Sequence, residues 1–355
     1  MTSPQQLEIL DLRHFNARQL RPLLEGEAAV WKTRLRWDYA SSTELLLQYL
    51  DSRILPGFVA LHRGRICGIT FCVYEGQKAV IGDLYADPAN PAPLAVIQTL
   101  ARHLLETLQA SPGVDRIEAQ LLLYDAGVLP PAFASATLPG PAFRVYPRLF
   151  LETSLEPSLK INPDPGNKSA PLTVPTPAPP PAPAPPVGFE RSRWSPAAYG
   201  PAADLIHAAY LGHIDADIND QYRTLAGSLR FLHNIVRFPG CGVFDPDSSW
   251  VLRSRTSNNP TELAAIILCS RVASDVAHVT QLCVAPAHAG LGLGRHLLAH
   301  CMKQLPTRGY RALTLTVTEA NTAALNLYAR TGFRTRHRFD ALVLDNFTSH
   351  RLPTR

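Results

Sequence analysis

The sequence predicts an α/β protein of two domains, each a mixed central sheet with helices on both faces. Three observations lead to this prediction. The chain has 355 residues, which is long for a single hydrophobic core. A Pro/Ala-rich stretch, SAPLTVPTPAPPPAPAPPVG, interrupts it near the middle. On both sides of that stretch, segments with the period of a strand alternate with segments with the period of a helix.

The Pro/Ala-rich stretch sets the predicted domain boundaries. Proline has no amide hydrogen to donate, so alternating Pro and Ala favour an extended polyproline II conformation over a helix or a strand. We therefore predict a first domain at residues 1–160, a semi-rigid linker at residues 161–188 and a second domain at residues 189–355. A docking site for a proline-binding domain is the alternative use of the linker.

Composition and charge argue against several classes of protein. The formal net charge is +5, and the positive residues are scattered, which argues against nucleic acid as a partner. The chain has no apolar run of about 18 residues and its first residues do not resemble a secretory signal, so we expect a cytoplasmic protein with no membrane partner. The 6 cysteines form no C-x-x-C pair, which indicates reduced thiols, and we expect no metal.

The second half has the clearer secondary-structure pattern. Its periodicity predicts two helices, three strands, and then a helix, a strand, a helix and a strand. The bounded predictions are helices at Ala202–Leu211 and Gln221–Val236, strands at Trp250–Arg253, Leu263–Arg271 and Ala277–Val284, a helix at Gly294–Gln304, a strand at Arg311–Val317 and a helix at Thr322–Thr331.

The first half shares this layout. IGDLYADP, which ends at Pro88, corresponds to VTQLCVAP, which ends at Pro286. Each is followed by a helix and then by a strand, RIEAQLLLY in the first half and ALTLTVT in the second. We interpret the shared order as an ancient duplication.

A glycine-rich loop follows the strand that ends at Val284. Gly290, Gly292 and Gly294 alternate there and open a helix, so backbone amides and the helix dipole form a cradle for an anion such as a pyrophosphate. The third glycine is one residue too early for the dinucleotide fingerprint, and the loop lacks the Lys-Ser or Lys-Thr ending of a nucleoside-triphosphate loop. A purely structural glycine turn is the alternative.

A second motif lies downstream, Asn321-Thr-Ala-Ala-Leu-Asn-Leu-Tyr-Ala-Arg-Thr-Gly-Phe333. Together, V-x-P…G-x-G-x-G and N-x-x-A-x-x-x-Y-x-x-x-G-F resemble the GNAT acetyltransferase superfamily over about Glu190–Asp345. The resemblance implies a GNAT-like fold and an N-acyltransferase that moves an acetyl group from acetyl-CoA to a primary amine of a small-molecule or peptide acceptor.

The resemblance also implies roles for individual residues. The backbone of the strand before the loop pairs with the pantetheine arm, the loop holds the pyrophosphate, one side chain bonds the cofactor arm and one is the general acid that protonates the departing thiolate. These roles fall, in that order, on Leu282, Cys283 and Val284; on Gly290, Leu291, Gly292, Leu293, Gly294 and Arg295; on Asn321; and on Tyr328. A helix N-cap is the alternative for Asn321, and a half-buried aromatic is the alternative for Tyr328.

The sequence departs from the family pattern at two places. Ala289 stands where a basic residue or Gln often begins the loop, and Thr280 and Gln281 stand where many relatives carry a Glu. Neither Thr nor Gln acts as a base. His278 lies two residues before Thr280 and is predicted to share its face of the strand, so it is the candidate base. An ordinary strand histidine is the alternative.

Acidic residues between the first two helices of this half are the candidate acceptor site. Asp215, Asp217 and Asp220 carry negative charge that attracts a cationic amine. Solvated loop carboxylates and a helix cap explain the same residues.

The first half lacks both motifs. After Pro88 it reads ANPAPLAVIQTLARHLL, with no glycine where the loop would be, and no N-x-x-A-x-x-x-Y pattern follows. We predict a degenerate GNAT-like domain that shapes or covers the active half. The alternative functions for the chain are a non-catalytic acyl-CoA-binding regulatory module and an interaction scaffold organised by the linker.

Overall fold

A computed structural model gives the architecture of the chain. It describes residues 7–136, 142–156, 184–238, 240–255 and 262–345. Most of the predicted linker at residues 161–188 lies outside the described residues. Within the described ranges, no helix is long and apolar enough to cross a membrane.

Thirteen strands form one continuous sheet in the described part of the chain. They are β1 (Leu7–Asp11), β2 (Gly57–His62), β3 (Arg65–Glu75), β4 (Lys78–Ala86), β5 (Arg116–Gln120), β6 (Arg144–Ser154), β7 (Phe189–Arg193), β8 (Val243–Phe244), β9 (Trp250–Ser254), β10 (Ala265–Ala273), β11 (Val276–Val284), β12 (Ala312–Thr318) and β13 (Arg334–Asp345).

Helices cover both faces of this sheet. The described α-helices are α1 (Ala17–Leu35), α2 (Ala40–Asp51), α3 (Pro93–Ala110), α4 (Leu129–Ala136), α5 (Tyr199–Tyr210), α6 (Asp215–Ile218), α7 (Leu225–Arg237), α8 (Leu293–Gln304) and α9 (Thr322–Arg330). The predicted α/β class is therefore confirmed.

Local capping explains where several helices begin and end. The side chain of Asn16 caps α1 and forms a reciprocal capping box with Gln19. The predicted helix at Gln221–Val236 begins later, at Leu225, because the Thr224 side chain accepts a hydrogen bond from Gly227 N and starts the helix there. Helix α9 ends where predicted, since Gly332 adopts φ +89° just beyond it.

The strand order shows two equivalent halves. Along the sheet it runs β1-β2-β3-β4-β5-β13-β6-β12-β11-β10-β9-β7, and β8 pairs with β10 at one side. The first six strands and the last six are arranged alike, so that β4 corresponds to β11 and β5 to β12. In both halves this corresponding pair is parallel, whereas its neighbours are antiparallel.

The last strand of each half is exchanged. Strand β6 ends the first half in sequence, yet it pairs antiparallel with β12 over seven residues from Arg148↔Thr318 to Ser154↔Ala312. Strand β13 ends the second half, yet it pairs with β5. The two exchanged strands then pair with each other at the centre of the sheet. The boundaries at residues 160 and 189 stay a prediction about the sequence, since each half of the sheet contains a strand from the other half.

The exchanged strands take part in the cores of their host halves. Leu342 and Leu344 of β13 are fully buried among residues of α3, α4 and β4. Leu151 of β6 is buried in the cluster beneath α8 and α9. Burial of these side chains makes folding of each half depend on the other, since an aliphatic core side chain contributes about 1.5–3 kcal/mol through burial.

A buried network of charges also joins the halves. Lys78 of β4 donates to Glu118 at 3.1 Å and to Asp220 at 2.6 Å. Arg116 of β5 donates to Glu118 at 2.6 Å and to the Asp217 carbonyl at 2.7 Å. Because Lys78, Arg116 and Glu118 are all nearly fully buried, removing one partner would leave an uncompensated charge in the interior.

We predict that the two halves unfold together. Leu342→Ala should lower the free energy of unfolding by about 2–5 kcal/mol, because it leaves a cavity where β13 enters the core of the first half. Urea unfolding followed by tryptophan fluorescence and by circular dichroism should show one transition, shifted in both signals. Val145→Ala is the control, since Val145 lies opposite Leu342 in the ladder and is exposed. Two separate transitions would contradict the prediction.

Candidate active site

A cleft opens between β11 and β12. The two strands pair in parallel only from Val276↔Ala312 to Val279↔Leu315. Beyond that point β12 continues to pair with β6, and β11 continues to pair with β10 as far as Val284. The edge of β11 that faces β12 is therefore unpaired over Leu282, Cys283 and Val284, the three residues whose backbone the resemblance assigns to the pantetheine arm.

A β-bulge at Thr280 changes the face on which the following residues lie. Val279 lies opposite Cys269, and Gln281 lies opposite Leu268, so Thr280 is the extra residue. Its hydroxyl donates to the Leu268 carbonyl at 3.2 Å. Val279 packs with the α8 side of the sheet, whereas Cys283 packs with the α5 side.

The bulge interrupts the regular alternation on which the predicted shared face of His278 and Thr280 rested. The shared face stays a prediction, and both residues line the cavity described below. Because the bulge inserts one residue, Gln281 takes the position in the ladder that Thr280 would have held, and it lies on the α5 side with His278.

The glycine loop has the conformation that an anion cradle needs. Gly290 and Gly292 have φ of +79° and +74°, and an added Cβ at either would meet no atom within 4 Å. Gly292 is the N-cap of α8, and Arg295 in the first turn is exposed. Gly294 lies inside the helix, and a Cβ added to it would lie 3.5 Å from the Val284 side chain. The loop thus leaves open space in front of a helix N-terminus, which fits a pyrophosphate.

A cavity of about 420 Å³ lies beside the cleft and between the two halves. The second half lines it with Tyr328, Asn321, Asp215, His278 and Gln281. The first half contributes residues of and just after α1, of β4, and of and just after β5, namely Trp31, Trp37, Tyr39, Asp83, Gln120 and Tyr124. The exchanged strands contribute Arg148 of β6 and Phe339 of β13.

Tyr328 lies in the wall of this cavity and is 8 % exposed. Burial raises the pKa of its phenol, and the nearby Asp215 carboxylate raises it further. The hydroxyl is therefore protonated at neutral pH, which is the state that a general acid needs. Asp215 is held by the Thr318 hydroxyl, which donates to its carboxylate.

Asn321 lines the cavity and also caps α9. Its side-chain oxygen accepts a hydrogen bond from Ala324 N at 3.1 Å, and its amide nitrogen lies 3.2 Å from Nε2 of His213. Asn321 therefore makes the helix-capping contact that was its alternative role. A role toward a cofactor arm stays a prediction.

His278 is buried and is held by Thr314. The Thr314 hydroxyl donates to the Ala277 carbonyl at 3.2 Å, so Nδ1 of His278, 2.9 Å from that hydroxyl, is the donor in their hydrogen bond. This tautomer leaves Nε2 as the nitrogen with the free lone pair. Burial, assisted by the Arg148 charge, lowers the pKa of His278 to about 3, so the ring is neutral at pH 7 and a weak base.

The structure separates the three carboxylates predicted for the acceptor. Of these, Asp215 lines the cavity. Asp217 forms an exposed ion pair with Arg223 at 3.2 Å. Asp220 is bound by the buried Lys78 of the first half. A shared role of all three in binding an amine is therefore not supported, because two of them are already paired.

The first half contributes a carboxyl pair that the sequence patterns did not reveal. Asp83 lines the cavity, and its carboxyl group is hydrogen-bonded to that of Glu27, which is buried behind it. Burial raises the pKa of both groups. Trp31 donates to Glu27 at 2.9 Å and stacks on Tyr39 with ring centroids 4.4 Å apart. One signal was present in the sequence, namely an acidic residue within an apolar strand.

In the equivalent cleft of the first half, a side chain of that half bonds the edge of the strand. Strands β4 and β5 pair only from Lys78 to Ile81, and a bulge at Gly82 follows as in the second half. The Tyr124 hydroxyl donates to the Leu84 carbonyl at 2.7 Å, in the position that corresponds to Leu282.

The loop before α3 also differs from the glycine loop. The amides of Ala89 and Ala92 donate to the side chains of Asp87 and Asn90, both at 2.9 Å. Pro93 begins the helix and has no amide hydrogen. These amides are turned inward, so they do not form an anion cradle.

Comparison with known proteins agrees with this geometry. Residues 216–333 match the acetyltransferase (GNAT) family. This match covers about a third of the chain, lies within the second half, and includes the glycine loop and α9. No curated protein matches the sequence.

Solved structures share the fold over both halves. A GCN5-related N-acetyltransferase from Sphaerobacter thermophilus is 16 % identical with a TM-score of 0.61, and the match covers 100 % of both chains. A tandem GNAT protein from the clavulanic acid biosynthesis pathway is 14 % identical with a TM-score of 0.55, covering 99 % of this chain and 100 % of that one. At this identity the similarity concerns the fold, and it extends over the whole chain.

Stability should depend on pH through His278. The folded state keeps this ring neutral, whereas the unfolded chain protonates it near pH 6.5, so stability is lost as pH falls below that value. When the pH falls from 7.5 to 5, the free energy of unfolding should decrease by about 2 kcal/mol more in the wild type than in His278→Gln. Urea unfolding of both proteins at the two pH values gives the difference. An equal pH slope in the two proteins would show that His278 is not buried in its neutral form.

Proposed function

We propose that the chain is an N-acetyltransferase that transfers an acetyl group from acetyl-CoA to a primary amine. The observation that carries the proposal is the divergence of β11 from β12 directly before a glycine loop with positive φ at Gly290 and Gly292. An unpaired strand edge offers backbone groups to an extended amide arm, and the loop offers amides to a pyrophosphate. Residues 189–355 hold the donor in this proposal.

The transfer is one acyl exchange at the thioester carbonyl. The neutral amine nitrogen forms a bond to the carbonyl carbon, the carbon–sulfur bond breaks, and the nitrogen loses its proton. Tyr328 gives a proton to the departing sulfur, and the proton released by the nitrogen returns through solvent to the Tyr328 phenolate, so the products are an amide and the free thiol of coenzyme A. The raised pKa of Tyr328 keeps the proton in place until the sulfur becomes basic.

The amine reaches the carbonyl in its neutral form. His278 has a pKa of about 3 and is a weak proton acceptor for an ammonium group. Asp215, which lines the same cavity as Tyr328, attracts the amine in its cationic form and orients it. We infer that water takes the proton of the ammonium as the amine leaves bulk solvent.

The first half in this proposal completes the acceptor pocket and binds no coenzyme A. The Tyr124 hydroxyl bonds the Leu84 carbonyl at its strand edge, and the loop amides of Ala89 and Ala92 bond to Asp87 and Asn90. Asp83 and Trp31 face the shared cavity from this half.

Substitution of Gly292 tests the cradle. Val at this position has unfavourable backbone strain at φ +74°, and its side chain occupies the open space in front of α8. We expect calorimetry on the full chain to show one coenzyme A site in the wild type. Gly292→Val should weaken binding at least about tenfold, equivalent to about 1.4 kcal/mol.

Gly309→Val is the matched control for this substitution. Gly309 has φ +88° with no atom within 4 Å of an added Cβ, and it lies beyond the other end of α8. The control therefore carries the same kind of strain but leaves the loop intact. Equal loss of affinity in both variants, or a second site that survives in Gly292→Val, would count against the assigned cradle and the single donor site.

Tyr328→Phe tests catalysis. The hydroxyl acts mainly in the transition state, so kcat should fall at least about tenfold while the Kd for acetyl-CoA stays nearly unchanged. Thiol release with an amine panel and separate calorimetry measure the two quantities. Tyr199→Phe is the control, because the Tyr199 hydroxyl is buried without a hydrogen-bond partner among the described residues and lies outside the cavity.

Two results would contradict this assignment. A kcat within about twofold of the wild type would show that Tyr328 is a packing residue. Absence of thiol release from the wild type with every amine, together with normal coenzyme A binding, would favour a non-catalytic acyl-CoA-binding module.

A further inference from the structure

Two polar groups in the cavity lack an oxygen acceptor. The Nε of Arg148 is buried without a hydrogen-bond partner among the described residues, and the buried Nε2 of Gln281 has only the Cys283 thiol, a weak acceptor, beside it. Both residues line the cavity, and Gln281 is only 4 % exposed. Since more than about 90 % of buried polar groups in folded proteins are hydrogen-bonded, two donors without an oxygen acceptor in one cavity indicate a ligand that supplies one.

The charge of Arg148 also lacks a partner. Its guanidinium donates to the neutral side-chain carbonyl of Gln120. No ion pair of the described residues includes Arg148, although the described part of the chain contains many exposed pairs between other arginines and carboxylates. A guanidinium binds a carboxylate through two parallel hydrogen bonds, so this is the anion that fits best.

Arg148 and Asp215 both neighbour Thr318 in the cavity wall. Arg148 on β6 is directly opposite Thr318 on β12, and the Thr318 hydroxyl donates to Asp215. Burial raises the pKa of Tyr222, which also lines the cavity; the Asp215 charge raises this pKa further, and the Arg148 charge lowers it. A ligand beside these residues therefore lies near both a cation and an anion.

We propose that the acceptor amine carries a carboxylate, as an α-amino acid does, with the carboxylate bound by Arg148 and Gln281 and the amine directed to Asp215 and Tyr328. The proposal rests on the acetyltransferase function proposed above. The remainder of the acceptor then faces the Trp31 and Tyr39 rings at the other end of the cavity.

The test compares amino acids with their α-carboxamides. The two differ in the charge recognised by Arg148, and the amide has the less basic amine, which biases the rate in favour of the amide. Thiol release is measured with acetyl-CoA for each of the common amino acids and its carboxamide. The preferred acid should exceed its carboxamide at least about tenfold in kcat/KM, as expected for a charged hydrogen bond.

Variants assign this preference to the two donors. Arg148→Gln should bring the ratio close to one, and Gln281→Leu should lower it by about threefold or more. Arg148→Lys keeps the charge but cannot form two parallel hydrogen bonds to a carboxylate, so it should retain part of the preference for the acid over its carboxamide. Arg144→Gln is the control, because Arg144 lies on the same strand, is exposed and pairs with Asp345. If Arg148→Gln does not fold, as judged by circular dichroism, Arg148→Lys and Gln281→Leu decide.

The outcomes separate this inference from the proposed function. Turnover of amines with no preference for the acid, or a preference that persists in folded Arg148→Gln, overturns the inference and leaves the acetyltransferase standing. Without turnover of any amine, calorimetry with the amino acids in the presence of coenzyme A decides. Amino-acid binding that is lost in Arg148→Gln supports the carboxylate site, although the acetyltransferase function is contradicted. Absence of amino-acid binding contradicts both the carboxylate site and the acetyltransferase function.

Discussion

The exchange of β6 and β13 is the constraint on which the rest of the structure depends. Each half of the sheet is completed by a strand from the other half, and the two exchanged strands pair at the centre. This pairing fixes the distance and orientation of the two clefts, and it places Arg148 of β6 beside Thr318 of β12. A cavity with walls from both halves can therefore be built to a fixed geometry, which two domains joined by a linker alone would not provide.

Both halves have a β-bulge at the same place, and it presents a different side chain in each half. A bulge follows the short parallel pairing in each half, at Gly82 in β4 and at Thr280 in β11. The next residue then points to the shared cavity, and it is Asp83 in one half and Gln281 in the other. The duplicated fold thus presents an acid and an amide at equivalent positions. The glycine loop of the second half has no counterpart before α3, so the two halves differ in side chains and loops on a symmetric sheet.

Sequence reasoning was most successful where the signal is local. The glycine loop, the strand before it and the helix stop at Gly332 depend on backbone conformation that short motifs specify. The bulge at Thr280 was missed because apolar alternation continues across it in the sequence. The strand exchange was missed because β6 and its substitute β13 satisfy the same apolar pattern, and their choice of partner depends on contacts distant in sequence. Asp220 was assigned to the acceptor because its partner, Lys78, lies in the other half.

Burial shifts four titratable groups in or behind the cavity wall toward their neutral forms. It raises the pKa of Tyr328, Asp83 and Glu27, and it lowers the pKa of His278. In the proposed reaction an entering amine meets the same penalty on its ammonium form, and the Asp215 carboxylate offsets this penalty where the amine binds. The Arg148 guanidinium has no paired carboxylate among the described residues, and its bond to the neutral Gln120 side chain leaves its charge available to a ligand in a medium of low polarity.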